Sequence, residues 1–335
     1  KNYKDKAYLV FSYIDLSKYI EFLKNNNGKE EEIKVAIISS ILENFFDWRD
    51  QGIGESDSEF SSRGSRSWTK SRFYSKCNAI SKSVFWLSDK YGKMPDAFGV
   101  CEIENKVVLK RLLSSTLLRK YDYDIIHFES MDRRGIDVAL MYRKSSLSPL
   151  SISLKTPLYN GEKLRTRDML HVQMKSIVSG DTLDFIVCHH PSKYGGADVS
   201  QGRRYSAMES LYELCDSIGS NKQIVMGDFN DVPSADQFEK VSDILINKAE
   251  NLYEHGEGTI RYKGKWDMID MFMVSPLFDG YSTMEIEYIP FLMVYDKSYP
   301  GEKPLRTYSG PKYLGGVSDH CPIILKILLP LKDFR

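Results

Sequence analysis

The sequence has no excess of charge of either sign, because its 46 Lys and Arg residues are balanced by 46 Asp and Glu residues. No global basic field therefore favours nucleic acid or an anionic membrane surface, and any binding of a polyanion must be local. Long hydrophobic runs are also lacking: "AYLVFSYI" near the start is interrupted by Ser12 and Tyr13 and followed by Asp15. A membrane-spanning helix needs roughly 18 consecutive apolar residues. We therefore expect no transmembrane segment.

Cysteine is scarce and shows no pattern. The five cysteines form no CxxC pair and mostly sit within apolar runs, which favours buried free thiols over a disulfide framework. Internal repeats and low-complexity tracts are lacking as well. The sequence does have length and apolar content, because 335 residues of which 42% are hydrophobic can form a sizeable core in one large domain or two ordinary ones.

The apolar periodicity predicts a mixed α/β domain. We interpret residues 1–32 as a polar N-terminal appendage with a short helix near Leu16–Leu23, residues 33–335 as a single domain, and the Gly- and Ser-rich residues 49–67 as a surface loop. Helical spacing predicts helices at 69–90, 105–119 and 200–219. Strands are predicted at "IKVAIIS", "AFGVCEI", "YDIIHFES", "GIDVALMYR", "HVQMKSIV", "LDFIVCHH", "QIVMGDF", "MIDMFMVS" and "CPIILKIL". Strands of this number, with helices between some of them, indicate mixed sheets covered by helices.

Polar side chains cluster where these apolar runs stop. They are Glu102 and Glu104, His189 and His190, Asp228 and Asn230, Asp267 and Asp270, and Asp319 and His320. Strand ends are the places where a rigid sheet can direct side chains into a common cleft. Carboxylates, an amide and imidazoles suit Mg²⁺ or Mn²⁺ together with a phosphate, whereas a structural zinc site would need clustered thiolates and histidines. The implied chemistry is phosphoester hydrolysis.

Several motifs, taken in order, resemble the endonuclease/exonuclease/phosphatase family. They are "FGVCEIEN", "RRGIDVALMYR", "LRTRD", "HHPSKYGG", "MGDFNDVP", "GKWDMIDMFMVS" and "GGVSDHCPI". The resemblance covers roughly residues 33–330, and "EFSSRGSRSWTKSRFYSK" is similar to a bacterial branch of the family. It implies a four-layer sandwich, in which two mixed β-sheets face each other between outer helices, with an active site at one edge.

The resemblance also implies roles for individual residues. Glu102 would be the principal ligand of a divalent metal, Mg²⁺ or Mn²⁺, with Asp319 close to the ion. Asp228 would orient and deprotonate the attacking water, and Asn230 would hold a phosphate oxygen. His320, positioned by Asp270, would stabilise the phosphoryl oxyanion. The remaining catalytic candidate is His189, which would contact phosphate or assist the leaving oxygen.

The segment "QIVMGDFNDV" acquires a structural interpretation from these roles. Side chains two positions apart on an extended segment share one face, so Asp228 and Asn230 would both point into the cleft while Phe229 points into the core. Gly227 would let the backbone pass close to the substrate.

Basic residues offer further phosphate contacts. Arg165 and Arg167 alternate along an extended run before Asp168 and are the preferred candidates, with Lys193 as another. We expect Glu104 and Asp267 to be supporting or solvated carboxylates, and His190 to pack where the family has Trp.

Two positions depart from the family pattern. In "ILENFFD", Ile41 stands where the family motif has Asn, and Cys188 replaces a second amide before His189. Three readings of Ile41 stay open. It lies in the cleft and weakens catalysis, or it belongs to the core, or the nearby Ser40 or Asn44 already supplies the lost contact.

These observations predict a hydrolase that cleaves a phosphodiester, in the manner of a nuclease, or a phosphomonoester by metal-assisted in-line attack of water. One alternative is a non-catalytic phosphate- or ligand-binding protein of the same fold. Another is an enzyme acting on a phosphorylated small molecule or lipid headgroup instead of nucleic acid, which the balanced charge favours. We expect a monomer. Because the chain starts at Lys1 and the similar branch is often exported, an extracytoplasmic location is favoured, although the compartment stays open.

Overall fold

The computed structural model describes residues 32–52, 54–193, 197–219 and 221–330. The predicted N-terminal appendage and its helix therefore lie outside the described residues, except for Glu32, which begins the first strand. The helices are α1 (Lys70–Tyr91), α2 (Lys106–Ser115), α3 (Ala197–Ile218) and α4 (Glu250–Glu254). Short 3₁₀ turns cover Leu117–Lys120, Asp236–Phe238, Val241–Asp243, Pro276–Phe278 and Pro290–Leu292.

The strands are β1 (Glu32–Phe45), β2 (Ala97–Ile103), β3 (Tyr123–His127), β4 (Asp137–Arg143), β5 (Leu147–Lys155), β6 (Leu158–Tyr159), β7 (Glu162–Lys163), β8 (Met169–Ser176), β9 (Thr182–His189), β10 (Lys222–Asp228), β11 (Ile246–Asn247), β12 (Ile260–Tyr262), β13 (Lys265–Asp267), β14 (Asp270–Val274), β15 (Ser282–Ile286), β16 (Met293–Tyr295), β17 (Glu302–Pro304), β18 (Tyr308–Ser309), β19 (Lys312–Tyr313) and β20 (Ile323–Pro330).

Two six-stranded mixed sheets organise the protein. The first has the order β15-β20-β1-β2-β4-β3 and the second the order β11-β14-β10-β9-β8-β5. Each sheet contains one parallel pair, β1 with β2 and β9 with β10, and its other neighbours are antiparallel. The carboxyl ends of the parallel strands and the amino ends of their antiparallel neighbours therefore meet at the same edge of each sheet.

The two sheets pack face to face, and helices cover their outer faces. A Cβ atom added to Gly99 of β2 would lie 2.5 Å from Sδ of Met226 in β10, so the sheets approach closely there. Helix α1 packs on the first sheet through the apolar side chains predicted from helical spacing, Phe73, Cys77, Ile80, Val84 and Leu87. The arrangement confirms two mixed sheets flanked by helices.

Local sequence explains where α1 begins and ends. Thr69 accepts a hydrogen bond from the backbone N–H of Arg72 at 3.3 Å, which caps the amino end. Gly92 ends the helix in the left-handed conformation, with φ 67°, and its N–H binds the carbonyl of Ser88.

Within the two six-stranded sheets, the strands that the sequence did not predict lie at the edges. They are β5, β11 and β15, each of which has one neighbouring strand in its sheet, and the short strands of the two-stranded sheets were not predicted either. In β5, seven consecutive residues are exposed, so the strand has no continuous apolar run. Edge strands bury less surface than central ones, and their sequence pattern is correspondingly weak.

The cysteines agree with the expectation of buried free thiols. All five cysteines are free and buried. Among the described residues, no helix is long and apolar enough to cross a membrane.

Candidate active site

One edge of the two sheets collects most of the predicted site residues. Asp228, the last residue of β10, is paired in register with His189 at the end of β9 and with Asp270 at the start of β14. His320 lies just before β20 and binds Asp270. Glu102 lies near the end of β2 in the facing sheet. The topology thus brings these side chains together from distant parts of the sequence.

Asp228 and Asn230 are held together by a turn. The predicted extended segment ends at Asp228, and Asn230 has a left-handed backbone with φ 53°. The backbone N–H of Asn230 donates to Oδ1 of Asp228 at 2.7 Å, and its side-chain amide donates to Oδ2 at 3.2 Å. A turn, and not the predicted alternation of side chains along a strand, therefore brings Asp228 and Asn230 together. Phe229 is fully buried, as predicted.

The Asp228 carboxylate is buried among other acidic groups. Burial first, and then the charge of Asp270, raise its pKa to about 7, and Glu102 contributes in the same direction. The charge of His320 opposes this shift. A carboxylate with a pKa near neutrality can accept a proton and release it again at physiological pH.

His320 and Asp270 form a buried hydrogen-bonded pair. Nδ1 of His320 lies 2.7 Å from Oδ2 of Asp270, and its Nε2 lies 4.0 Å from Oδ1 of Asp319. Burial lowers the pKa of His320, but the charge of Asp270 and the hydrogen bond to it outweigh burial and hold the pKa well above its usual value. This direction favours the imidazolium form, which can donate a hydrogen bond to an oxyanion.

Glu102 occupies an irregular point in β2. The pairing of β2 with β4 shifts between Cys101 and Ile103, and Glu102 has a left-handed backbone with φ 59°. A bulge of this kind redirects a side chain away from the regular alternation of the strand. Oε2 of Glu102 accepts the backbone N–H of Asn44 at 2.9 Å, and Oε1 lies 3.8 Å from Arg134.

A largely buried charged network contacts the expected metal ligand Asp319 through the half-exposed Arg306, and sequence reasoning missed it. Arg306 lies 2.9 Å from Asp319 and also donates to Glu43 at 3.0 Å. Lys76, which is 1% exposed, donates to the carbonyl of Glu43 at 2.7 Å and to the hydroxyl of Thr307 at 2.8 Å. Burial lowers the pKa of Lys76 to about 8. The signal was present in the sequence, because Lys76 interrupts the apolar face of α1 next to Cys77.

His189 and His190 are both buried. Nε2 of His189 lies 3.6 Å from Oδ2 of Asp228, and burial, followed by Arg167 and Arg134, keeps the pKa of His189 well below its usual value. His190 packs edge-on against Phe229, as expected for a residue in the place of Trp. Both of its ring nitrogens are buried without a hydrogen-bond partner in the described structure.

The predicted phosphate-binding residues are placed differently from one another. Arg167 is buried and donates to the carbonyls of His189 at 3.1 Å and His190 at 2.6 Å, so it braces the end of β9. Lys193 pairs with Asp231 at 2.9 Å. Arg165 is exposed and lines an open cleft.

The two supporting carboxylates also differ. Glu104 is fully buried and accepts the backbone N–H of Asp47 at 2.6 Å, so the solvated alternative does not hold for it. Asp267 is exposed, as expected for a solvated carboxylate.

The positions that depart from the family pattern belong to the core. Ile41 is 2% exposed and packs between the sheets, and Cys188 is fully buried. The reading that placed Ile41 in the cleft is therefore wrong.

The need for glycine at position 227 also has a cause other than the expected approach to substrate. A Cβ atom at Gly227 would lie 1.8 Å from the carbonyl oxygen of Cys188. The close approach is between neighbouring strands.

The donor chemistry of the edge fits a hard divalent cation. Glu102 and Asp319 supply carboxylate oxygens, the ligands that Mg²⁺ and Mn²⁺ prefer. Burial first, and then repulsion from Asp270, raises the pKa of Asp228, and a nearby cation would offset the repulsion. A separate group with metal-ligating atoms within 4.8 Å of one another, His127, Glu129 and Asp137, lies where β3 pairs with β4.

Comparison with known proteins identifies the family. A family model described as Endonuclease/Exonuclease/phosphatase family matches residues 36–328. The chain belongs to this family. Its members include metal-dependent nucleases and phosphatases. None of the curated proteins matches the chain.

Solved structures of the family share the fold at low sequence identity. A family protein from Bacteroides thetaiotaomicron is 16% identical with a TM-score of 0.59, covering 90% of this chain and 100% of its own. The mannosyl-6-phosphatase of the same organism is 15% identical with a TM-score of 0.52, covering 87% and 98%. TDP2 of D. rerio complexed with a single-strand DNA product is 16% identical with a TM-score of 0.51, covering 88% and 98%.

Proposed function

We propose that this family member is a divalent-metal-dependent phosphoester hydrolase in which water attacks phosphorus in line. The observation that carries the proposal is the buried pairing of Asp228 with Asn230 beside the Asp270–His320 pair. It supplies a proton acceptor and a cationic donor at the same sheet edge. Ile41 and Cys188, the support for a non-catalytic protein, lie in the core and leave this set intact.

Asp228 is the proton acceptor in this proposal. It takes a proton from the attacking water, and its pKa of about 7 suits the transfer at neutral pH. Asn230 acts by positioning Asp228, because its side-chain amide donates to Oδ2 of Asp228 at 3.2 Å and to the carbonyl of His190 at 2.9 Å. Both amide hydrogens have a partner, which favours a positioning role for Asn230 over the expected contact with a phosphate oxygen.

His320 stabilises the negative charge that develops on the phosphoryl oxygens. Asp270 holds Nδ1, which leaves Nε2 to donate toward the substrate. Bound by Glu102 and Asp319, Mg²⁺ or Mn²⁺ would neutralise charge on the same oxygens and polarise phosphorus. We infer that His189, whose Nε2 lies 3.6 Å from Oδ2 of Asp228, contacts a phosphate oxygen or the leaving oxygen.

A panel of phosphodiesters and phosphomonoesters, assayed with Mg²⁺ or Mn²⁺, tests the proposal. We expect hydrolysis of at least one ester, with kcat of the Asp228→Asn variant lower by about 10²-fold or more. Asp236→Asn is the matched control, because Asp236 is an exposed carboxylate a few residues along the same segment. Equal rates for wild type and Asp228→Asn would show that the assigned proton acceptor is wrong.

A further inference from the structure

An open, basic cleft lies beside the catalytic edge. Its volume is 920 Å³, and its lining includes six basic and three acidic side chains. Two of the acidic groups are already paired: Asp132 binds Arg167 at 2.7 Å, and Glu55 binds Arg133 at 2.7 Å. The lining is therefore locally positive although the whole chain is neutral.

Three cations of the cleft remain exposed. Lys163, Arg165 and Arg203 line it and, within the described ranges, have no acidic group within ion-pair distance. Arginine presents a planar fork of N–H groups that matches two oxygens of a phosphate. The cleft thus offers anion-binding groups that the fold does not use for its own ion pairs.

The cleft adjoins the catalytic edge. Arg134 lines the cleft and lies 3.8 Å from the expected metal ligand Glu102. Arg167, another lining residue, donates to the carbonyls of both His189 and His190. Pro191, which follows these histidines, is also part of the lining. A substrate whose phosphorus lies at the catalytic edge can therefore extend into the cleft.

We propose that the cleft binds a second phosphate group of the substrate through Arg165 and Arg203, with Lys163 adding to the positive field. The inference rests on the proposed function and deepens it, because it selects substrates that carry a phosphate besides the one cleaved. Two sources share this chemistry: a nucleotide strand and a small molecule with two phosphates.

Matched substrate pairs test this selectivity. One pair is the p-nitrophenyl ester of thymidine 5′-phosphate with and without a 3′-phosphate, and the other is fructose 1,6-bisphosphate and fructose 6-phosphate. In the pair that represents the true substrate class, nucleotide or sugar phosphate, we expect kcat/KM to be higher for the substrate with two phosphates. The Arg165→Ala/Arg203→Ala variant should lose roughly 10²-fold on that member, about tenfold for each charge-assisted contact. On the member with one phosphate, the variant should stay within threefold of wild type.

Arg63→Ala is the control for general loss of positive charge, because Arg63 is exposed and does not line the cleft. It should leave both members of each pair unchanged. Equal kcat/KM within both pairs, or an equal loss in Arg63→Ala, would overturn the inference while leaving hydrolysis itself established.

Binding without turnover separates failure of the inference from failure of the proposed function. Fluorescence anisotropy with EDTA and a labelled thymidine tetranucleotide measures a strand, and competition by fructose 1,6-bisphosphate measures the small molecule. Loss of the one phosphate contact that Arg165 and Arg203 share should reduce the salt dependence of strand binding, as the slope of log K against log salt, by about 0.7. If wild type hydrolyses no ester but binds the strand with this salt dependence, the assignment of the cleft is supported and the proposed catalytic function is contradicted. Unchanged binding of both ligands in the double variant contradicts the assignment.

Discussion

Replacing Asp270 by Asn tests how the site controls His320. Asn has nearly the same size as Asp but lacks the negative charge of the Asp270 carboxylate, whose Oδ2 lies 2.7 Å from Nδ1 of His320. Because the charge of Asp270 outweighs burial in raising the pKa of His320, the variant should have a lower His320 pKa. The ring would then be protonated in a smaller fraction of molecules near neutral pH, and its donation to the phosphoryl oxygen would weaken.

The expected loss follows from the kind of hydrogen bond. A hydrogen bond that involves a charged group contributes about 1.5 to 3 kcal/mol. If this is lost from the transition state, kcat/KM falls by roughly 10- to 150-fold. The alkaline limb of the pH profile should also move to lower pH, because the protonated ring is lost earlier as pH rises.

The assay is kcat/KM against pH on an ester that wild type hydrolyses with Mg²⁺. Asp267→Asn is the control, because Asp267 lies three residues earlier and is exposed. It should match wild type in rate and profile. A rate for Asp270→Asn within threefold of wild type, with an unmoved alkaline limb, would refute the role of this pair.

Two further predictions concern buried side chains. Ile41→Asn should lower the melting temperature without raising kcat/KM, because Ile41 lies in the core and a buried unpaired amide costs about 1 to 3 kcal/mol; a gain in activity at unchanged stability would contradict this placement. Burial and Arg167 lower the pKa of His190 to about 3, below its unfolded value, so the stability it contributes is complete above the unfolded pKa and is lost as pH falls. Urea unfolding at pH 7.5 and 5.5 should show that wild type loses about 1.4 kcal/mol more than His190→Phe, and equal losses would show that His190 is protonated in the folded state.

Central strands and polar strand ends could be predicted from the sequence because burial leaves a strong pattern. The run "AFGVCEI" corresponds to β2 residue for residue, and the residues after such runs form the site. Edge strands could not be predicted in the same way. In β5, alternating Ser and apolar residues face solvent along most of the strand, so packing leaves little mark on the sequence.

The parts of the site that depend on backbone irregularity were also hidden. The bulge at Glu102 and the left-handed turn at Asn230 direct side chains in ways that regular alternation does not describe. The Lys76 and Glu43 network joins residues far apart in sequence, Thr307 among them. Its existence follows from tertiary packing, although a lysine on an apolar helix face indicates a buried partner.

We propose that the edge formed by Glu102, Asp228 and His320 hydrolyses a phosphoester with the help of a divalent cation. The most direct measurement is release of product from the ester panel by wild type with Mg²⁺ or Mn²⁺, after exhaustive EDTA treatment, and after the metal is restored. We predict that chelation abolishes hydrolysis and that added metal recovers it, because the carboxylates of Glu102 and Asp319 are hard oxygen ligands. Full activity after exhaustive chelation would contradict the account.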